Sequence, residues 1–177
     1  MKKVIYIIVA IVITGSTVWL ANYLFAGRPV QKKLQADPRN EGIELSAHYR
    51  YFILPNTLVI NLTDTKGDHT QLDVFRTVLQ ASQALKGKTF TEVVFAFKNA
   101  SKFKISGTYF KELGETYDLE NPLYTVRSFP EHVFNMDGSS PYAKADGGVF
   151  AAFAEDMDQF KDFSRKWYGN DLNEEAE

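Results

Sequence analysis

The residue types that carry most enzymatic chemistry are sparse in this chain. Cysteine is absent, which removes thiolate zinc sites and thiol nucleophiles together. The three histidines, His48, His69 and His132, lie far apart, with no paired-ligand spacing among them. The densest polar stretch is Asp64-Thr65-Lys66-Gly67-Asp68-His69-Thr70-Gln71-Leu72-Asp73. It follows a strand-like run and opens a helical one. Ligands in α/β sheets favour that location, and helix N-terminal amides attract anions. Asp64, Asp68 and His69 are the candidate ligand-binding residues. With Asp73, the two aspartates would suit a cation, although the spacing is not that of an EF-hand loop. The competing reading is a capped helix, with Asp68 as N-cap and first-turn acids complementing the dipole. The competing reading is preferred, so neither a metal nor a cofactor is assigned.

A second candidate is Asp137-Gly138-Ser139-Ser140, followed by Asp146-Gly147-Gly148. A serine nucleophile there would need an elbow and a base, and no G-x-S-x-G motif is present. Gly147-Gly148 before a helix would cradle a phosphate only with Rossmann or P-loop spacing, and both spacings are missing. A turn and helix start is the simpler account. Glu112, Glu115 and Glu131 are acids without an assigned partner. Asn61-Leu62-Thr63 and Asn99-Ala100-Ser101 match the glycosylation sequon and are read as chance.

Those residues must be positioned by elements that the sequence also outlines. His48 to Leu54 and Leu58 to Leu62 read as two strands of an antiparallel hairpin, turned at Pro55-Asn56. Leu72, Phe75, Val78, Leu79 and Leu85 share a helical face, with Gln71, Arg76, Gln80 and Gln83 opposite and Gly87 as C-cap. Thr89 to Phe97 is a third strand, apolar on both faces toward its end and so expected to be central. Strand, helix and strand in that order predict a crossover to a parallel neighbour. Lys102 to Ile105 extends the sheet, Thr108 to Tyr117 forms a short helix, and Leu123 to Val126 is a further strand. Pro130 starts a helical turn. Phe150, Phe153, Met157, Phe160, Ser164 and Trp167 then mark an amphipathic helix that docks on the sheet.

The chain has 177 residues, 45% of them hydrophobic and 14% aromatic. Val4 to Ala26 is one uncharged apolar run, and a bilayer core needs about 20 such residues in a helix. Trp19 and Tyr23 lie toward its end, as interfacial aromatics do. A signal peptide would have a shorter apolar region, and Leu24-Phe25-Ala26 places Leu where cleavage prefers a small residue. Residues 1–26 are therefore expected to be an uncleaved anchor, with residues 4–26 in the bilayer. Residues 27–44 read as a juxtamembrane linker whose Arg28, Lys32, Lys33 and Arg39 would face headgroups or water. Residues 45–169 form one domain, and residues 170–177 an acidic tail.

Charge adds one exclusion. The 20 Lys and Arg stand against 22 Asp and Glu, and no basic run follows the linker, so nucleic acid is not an expected partner. The expected fold is an N-terminal transmembrane helix, then one mixed sheet of about four or five strands with packed helices, α+β or α/β. Lys2 and Lys3 precede the run and Arg28, Lys32, Lys33 and Arg39 follow it, a count that slightly favours a cytoplasmic domain. A Met-Lys-Lys start favours an N-inside, single-pass bacterial inner-membrane protein with a periplasmic domain. The function expected is non-catalytic binding of an envelope protein or small ligand. The alternative is a membrane-tethered hydrolase or metal-dependent enzyme using the Asp64–Asp73 helix entrance.

Overall fold

The computed structural model describes residues 2–119, 121–144 and 149–176. Helix α1 (Lys2–Asn22) passes through a π-helical turn at Tyr23–Gly27 into α2 (Arg28–Gln35). Together they form one apolar-then-polar helix of 34 residues, about 50 Å long at the α-helical rise. Its first part is long and apolar enough to cross a membrane, and none of that window is buried by the rest of the chain.

A five-stranded sheet follows, in the order β1-β2-β3-β4-β5. Strands β1 (Ile43–Arg50) and β2 (Leu54–Thr65) form the expected antiparallel hairpin, with Leu45 opposite Leu62 and Ala47 opposite Ile60. Helix α3 (Gln71–Leu85) then crosses to β3 (Glu92–Phe97), which lies parallel to β2 with Leu58 opposite Val93. Strand β4 (Ala100–Ser106) returns antiparallel, and a two-residue β5 (Phe134–Asn135) closes the far edge. Helices α4 (Gly107–Thr116), α5 (Pro122–Ser128) and α6 (Val149–Ser164) fill the rest. A second π-helical turn (Arg165–Gly169) leads into α7 (Asn170–Ala176).

Alternation along the strands decides which face packs. Leu58, Ile60, Leu62, Val93, Phe95, Phe97, Phe103 and Ile105 point to one face and share a core with residues of α2 to α6. Each such large apolar side chain contributes roughly 1.5–3 kcal/mol on burial. Phe95 is the centre, with Phe129, Phe163 and Trp167 rings edge-on at 5.8, 5.7 and 5.1 Å. Edge-on aromatic pairs add about 0.5–1.5 kcal/mol beyond area. The Trp167 indole N–H, buried with its ring, donates to the Ala96 carbonyl at 3.0 Å. Among the described residues, the other face carries a small apolar cluster of Val59, Val94 and Ala96, with Met136 against it. The result is a two-layer α+β arrangement.

Several expectations change. Residues 27–44 are not a solvated linker. Pro29 sits in the first turn of α2, where its missing N–H costs nothing, and Ala26, Val30, Leu34 and Ile43 join the core. The turn of the first hairpin falls at residues 51–53, ahead of Pro55, because β2 already begins at Leu54. The α3 N-cap is Thr70 rather than Asp68, in a capping box with Asp73, and Lys86 rather than Gly87 is its C-cap. Leu72, placed on the core face by spacing, is 49% exposed, whereas Gln80, placed on the polar face, is 2% exposed. Leu123 to Val126 is helical, not a strand, because Asn121 caps the Leu123 N–H at 3.0 Å and Pro122 opens the first turn. Asn170–Ala176 of the acidic tail form helix α7, and Lys102 pairs with Asp171 at 2.9 Å. On α6, Phe160 and Phe163 are buried, and Trp167 is buried from the π-helical turn that follows it. The Phe150 side chain and the Asp146-Gly147-Gly148 phosphate candidate lie outside the described residues.

Candidate functional site

The Asp64–Asp73 segment is held by ties that run back into the fold. The Asp64 carboxylate accepts from the Thr65 N–H at 2.8 Å and pairs with Lys66 at 3.4 Å. His69 Nε2 lies 2.7 Å from the Glu41 carbonyl, and the Lys66 N–H donates to the Gly42 carbonyl at 2.8 Å. Gly42 has φ of +90°, and a Cβ there would stand 2.8 Å from the Lys66 carbonyl oxygen. The segment therefore interlocks with the turn before β1. Asp73 serves Thr70 and Arg76, at 2.6 Å from each, and these bonds hold its carboxyl down at about 2. Asp68 is exposed. Among the described residues no group of three or more His, Asp or Glu side chains converges.

The Asp137–Ser140 candidate is a turn. The Asp137 carboxylate accepts from the Ser139 N–H and hydroxyl at 2.9 and 2.7 Å, bonds that hold its pKa low. Gly138 supplies φ of +92°. Ser140 donates to the Tyr142 carbonyl at 2.7 Å. Glu112 and Glu115 lie on the exposed side of α4, with Lys111 3.7 Å from Glu115. His132 stacks on Tyr109 at 3.7 Å, and His48 on Phe52 at 4.9 Å; burial lowers the His48 pKa.

The feature that spacing missed is an apolar groove at the start of α3. It is floored by Phe75, Leu79 and Val126, lipped by Leu72 and Leu123, and flanked by Arg39, Arg76 and Tyr117, with a volume of about 470 Å³. Leu72 and Leu123 are 49% and 43% exposed. The groove lies at the end of the domain remote from α1. α3 runs back along α2, so that Gln80 meets Asn40 at 2.6 Å and Lys88 reaches over the Phe25 ring at 5.1 Å.

A polar network fixes the groove's cationic rim. Arg39 is clamped on Asp37, with Nη2 2.6 Å from Oδ2. Arg76 donates to Asp73 at 2.6 Å and to the Arg39 carbonyl at 2.8 Å. Gln80 donates to Asp37 at 2.8 Å, and Asn40 donates to Gln80 and to the Leu34 carbonyl. The Arg39 hydrogen bond, with that of Gln80, holds the Asp37 carboxyl far below the ordinary range. Each buried polar atom named here has a partner, as a buried network must. None of the groove's lining residues is a thiol, histidine, serine or carboxylate. The groove offers apolar contact and a planar cation, which is recognition chemistry. The signal in the sequence was Leu72, an apolar residue inside the Thr70–Asp73 capping box, and the polar Gln80 on a face that proved to be interior.

No protein-family model, curated protein or solved structure matches the chain. The fold alone defines the class: an apolar N-terminal helix continuous with a two-layer α+β domain.

Proposed function

We propose that this is a single-pass protein of the bacterial inner membrane whose periplasmic domain binds another envelope protein without catalysis. The basic Met1-Lys2-Lys3 end stays inside, and the helix is retained. Retention is supported by Asn22 and Ala26, which are 4% and 0% exposed because the domain packs on them. Cleavage near Ala26 would strip both from the fold. The observation that carries the binding reading is the groove beside α3, which opens at the end farthest from the span and has apolar lips that the chain itself leaves uncovered. Its occupant is an apolar segment of a partner protein, with a carboxylate facing Arg39, which is 67% exposed.

A photo-crosslinking residue placed at Leu72 in the full chain, in its own membrane, tests this. A discrete adduct is expected, lost when Leu123→Glu is added and not formed from Asp158 on α6. An adduct indifferent to Leu123→Glu, or none at all, overturns the groove as the binding surface.

A further inference from the structure

The two tight turns at opposite ends of the sheet are built from opposite chemistry. Between β3 and β4, Lys98 and Asn99 take positive φ of 47° and 69°. Between β1 and β2 the positive-φ pair is Tyr51 and Phe52, at 52° and 63°. Turns in water fill such positions with Asn, Asp or Gly, because the left-handed backbone crowds other side chains. Tyr51, Phe52, Ile53 and Leu54 are also 67, 47, 64 and 44% exposed. Four consecutive large apolar side chains therefore crown a strained turn, each left largely open although His48 stacks on one side of Phe52 at 4.9 Å.

The position of that turn says what covers it. Asn22, inside the apolar run, accepts from the Tyr49 N–H at 2.8 Å and donates to the Phe52 carbonyl. The turn is thus fixed at the level where the run ends, beside Trp19, whose ring stacks on Tyr23 at 5.7 Å. Its backbone is provided for as well: the Phe52 N–H donates to the Tyr49 carbonyl at 2.8 Å and the Ile53 N–H to the Arg50 carbonyl at 3.3 Å. Satisfied backbone is the condition for entering an apolar medium. Arg50 lies over the Tyr51 ring at 5.2 Å, with an apolar stem and a charged head suited to the headgroup level.

We propose that the β1–β2 turn enters the headgroup–acyl boundary of the leaflet from which the helix emerges. It makes a second membrane contact that fixes the domain's orientation and holds the groove away from the surface. This rests on the reading of α1 as a membrane span.

The absence of cysteine allows a clean test with the full chain in phosphatidylethanolamine–phosphatidylglycerol vesicles. Single variants Ile53→Cys, Tyr51→Cys, Val12→Cys and Leu119→Cys each carry an environment-sensitive fluorophore. Positions 53 and 51 are expected to show blue-shifted emission, several-fold weaker iodide quenching than position 119, and quenching by brominated lipid. If position 12 is lipid-quenched while 53 and 51 behave like 119, the proposal falls and the span stands. If position 12 is itself open to iodide, the span reading falls and the proposal with it. Iodide protection at 53 and 51 without bromolipid quenching would mean that protein covers the turn, which also overturns the proposal.

Discussion

Asn22, at the end of the apolar helix, accepts a hydrogen bond from the Tyr49 N–H at 2.8 Å across 27 residues of chain. Its amide also donates to the Phe52 carbonyl. One side chain therefore joins the helix to the first hairpin.

Asn22→Ala leaves the Tyr49 N–H and the Phe52 carbonyl without that partner. Unmet buried polar groups cost about 1–3 kcal/mol, so the midpoint of denaturant unfolding of the detergent-solubilised chain is expected to fall accordingly. Hydrogen exchange at residues 49–53 is expected to rise more than exchange in β3. Equal change everywhere would refute a local clamp.

Acid is expected to loosen the α2–α3 junction. Hydrogen bonds from Thr70 and Arg76 hold the Asp73 carboxyl down to about 2 in the fold, below its ordinary value, and Asp37 is lowered as well. Lowered carboxylates stabilise above the unfolded value, and that stability is lost as pH falls through the folded one. Urea stability is expected to hold down to about pH 4 and then drop toward pH 2, with Asp73 contributing on the order of 1 kcal/mol after solvent screening. Asp73→Asn should flatten that acid limb; an unchanged limb would count against the assignment.

Gly114 is where α4 meets α3. A Cβ there would lie 2.4 Å from the Ser82 carbonyl oxygen, a backbone atom that cannot step aside. Gly114→Ala is expected to cost about 1–3 kcal/mol or more through forced separation of the helices, read as a lowered melting temperature. Gly87→Ala, with open space around it, is the control and should leave the melt within a degree or two of wild type.

The Asp64–His69 segment separates the binding reading from the enzymatic one. His69→Ala is expected to lower stability by about 1 kcal/mol, through loss of the contact with the Glu41 carbonyl. Asp64→Ala and Asp68→Ala are expected to leave crosslinking from Leu72 intact. Loss of a measurable hydrolytic or metal-binding activity in these variants, with folding preserved, would restore the enzymatic reading.

Local pattern was a good guide where one face of an element is apolar for a simple reason. The β1–β2 hairpin, α3 and α6 follow from periods of two and of three to four, because each buries one continuous stripe. Pattern misled where a local signal competed with another. Leu123-Tyr124-Thr125-Val126 has strand composition, yet the Asn121 cap and Pro122 set a helix start, and Val126 and Thr125 are buried from a helical face. The candidate site was less legible. Asp64, Asp68 and His69 are dense in sequence, but Asp64 is taken up by its neighbours Thr65 and Lys66 and His69 by the Glu41 carbonyl, a partner set by the pairing of distant loops.

The sequence by itself determined the apolar helix, the mixed sheet and the absence of thiol chemistry. Length, alternation and composition are properties of the chain before it folds. Only the tertiary structure decided that Val30 and Leu34 of α2 belong to the core, that Gln80 is interior and Leu72 is not, and that a groove lies beside α3. Periodicity reports which side chains share a face, but burial depends on what packs against that face. Asn22 is the sharpest case. In the sequence it is one polar residue at the end of an apolar run, and only its contact with Tyr49 turns it into the joint between helix and domain.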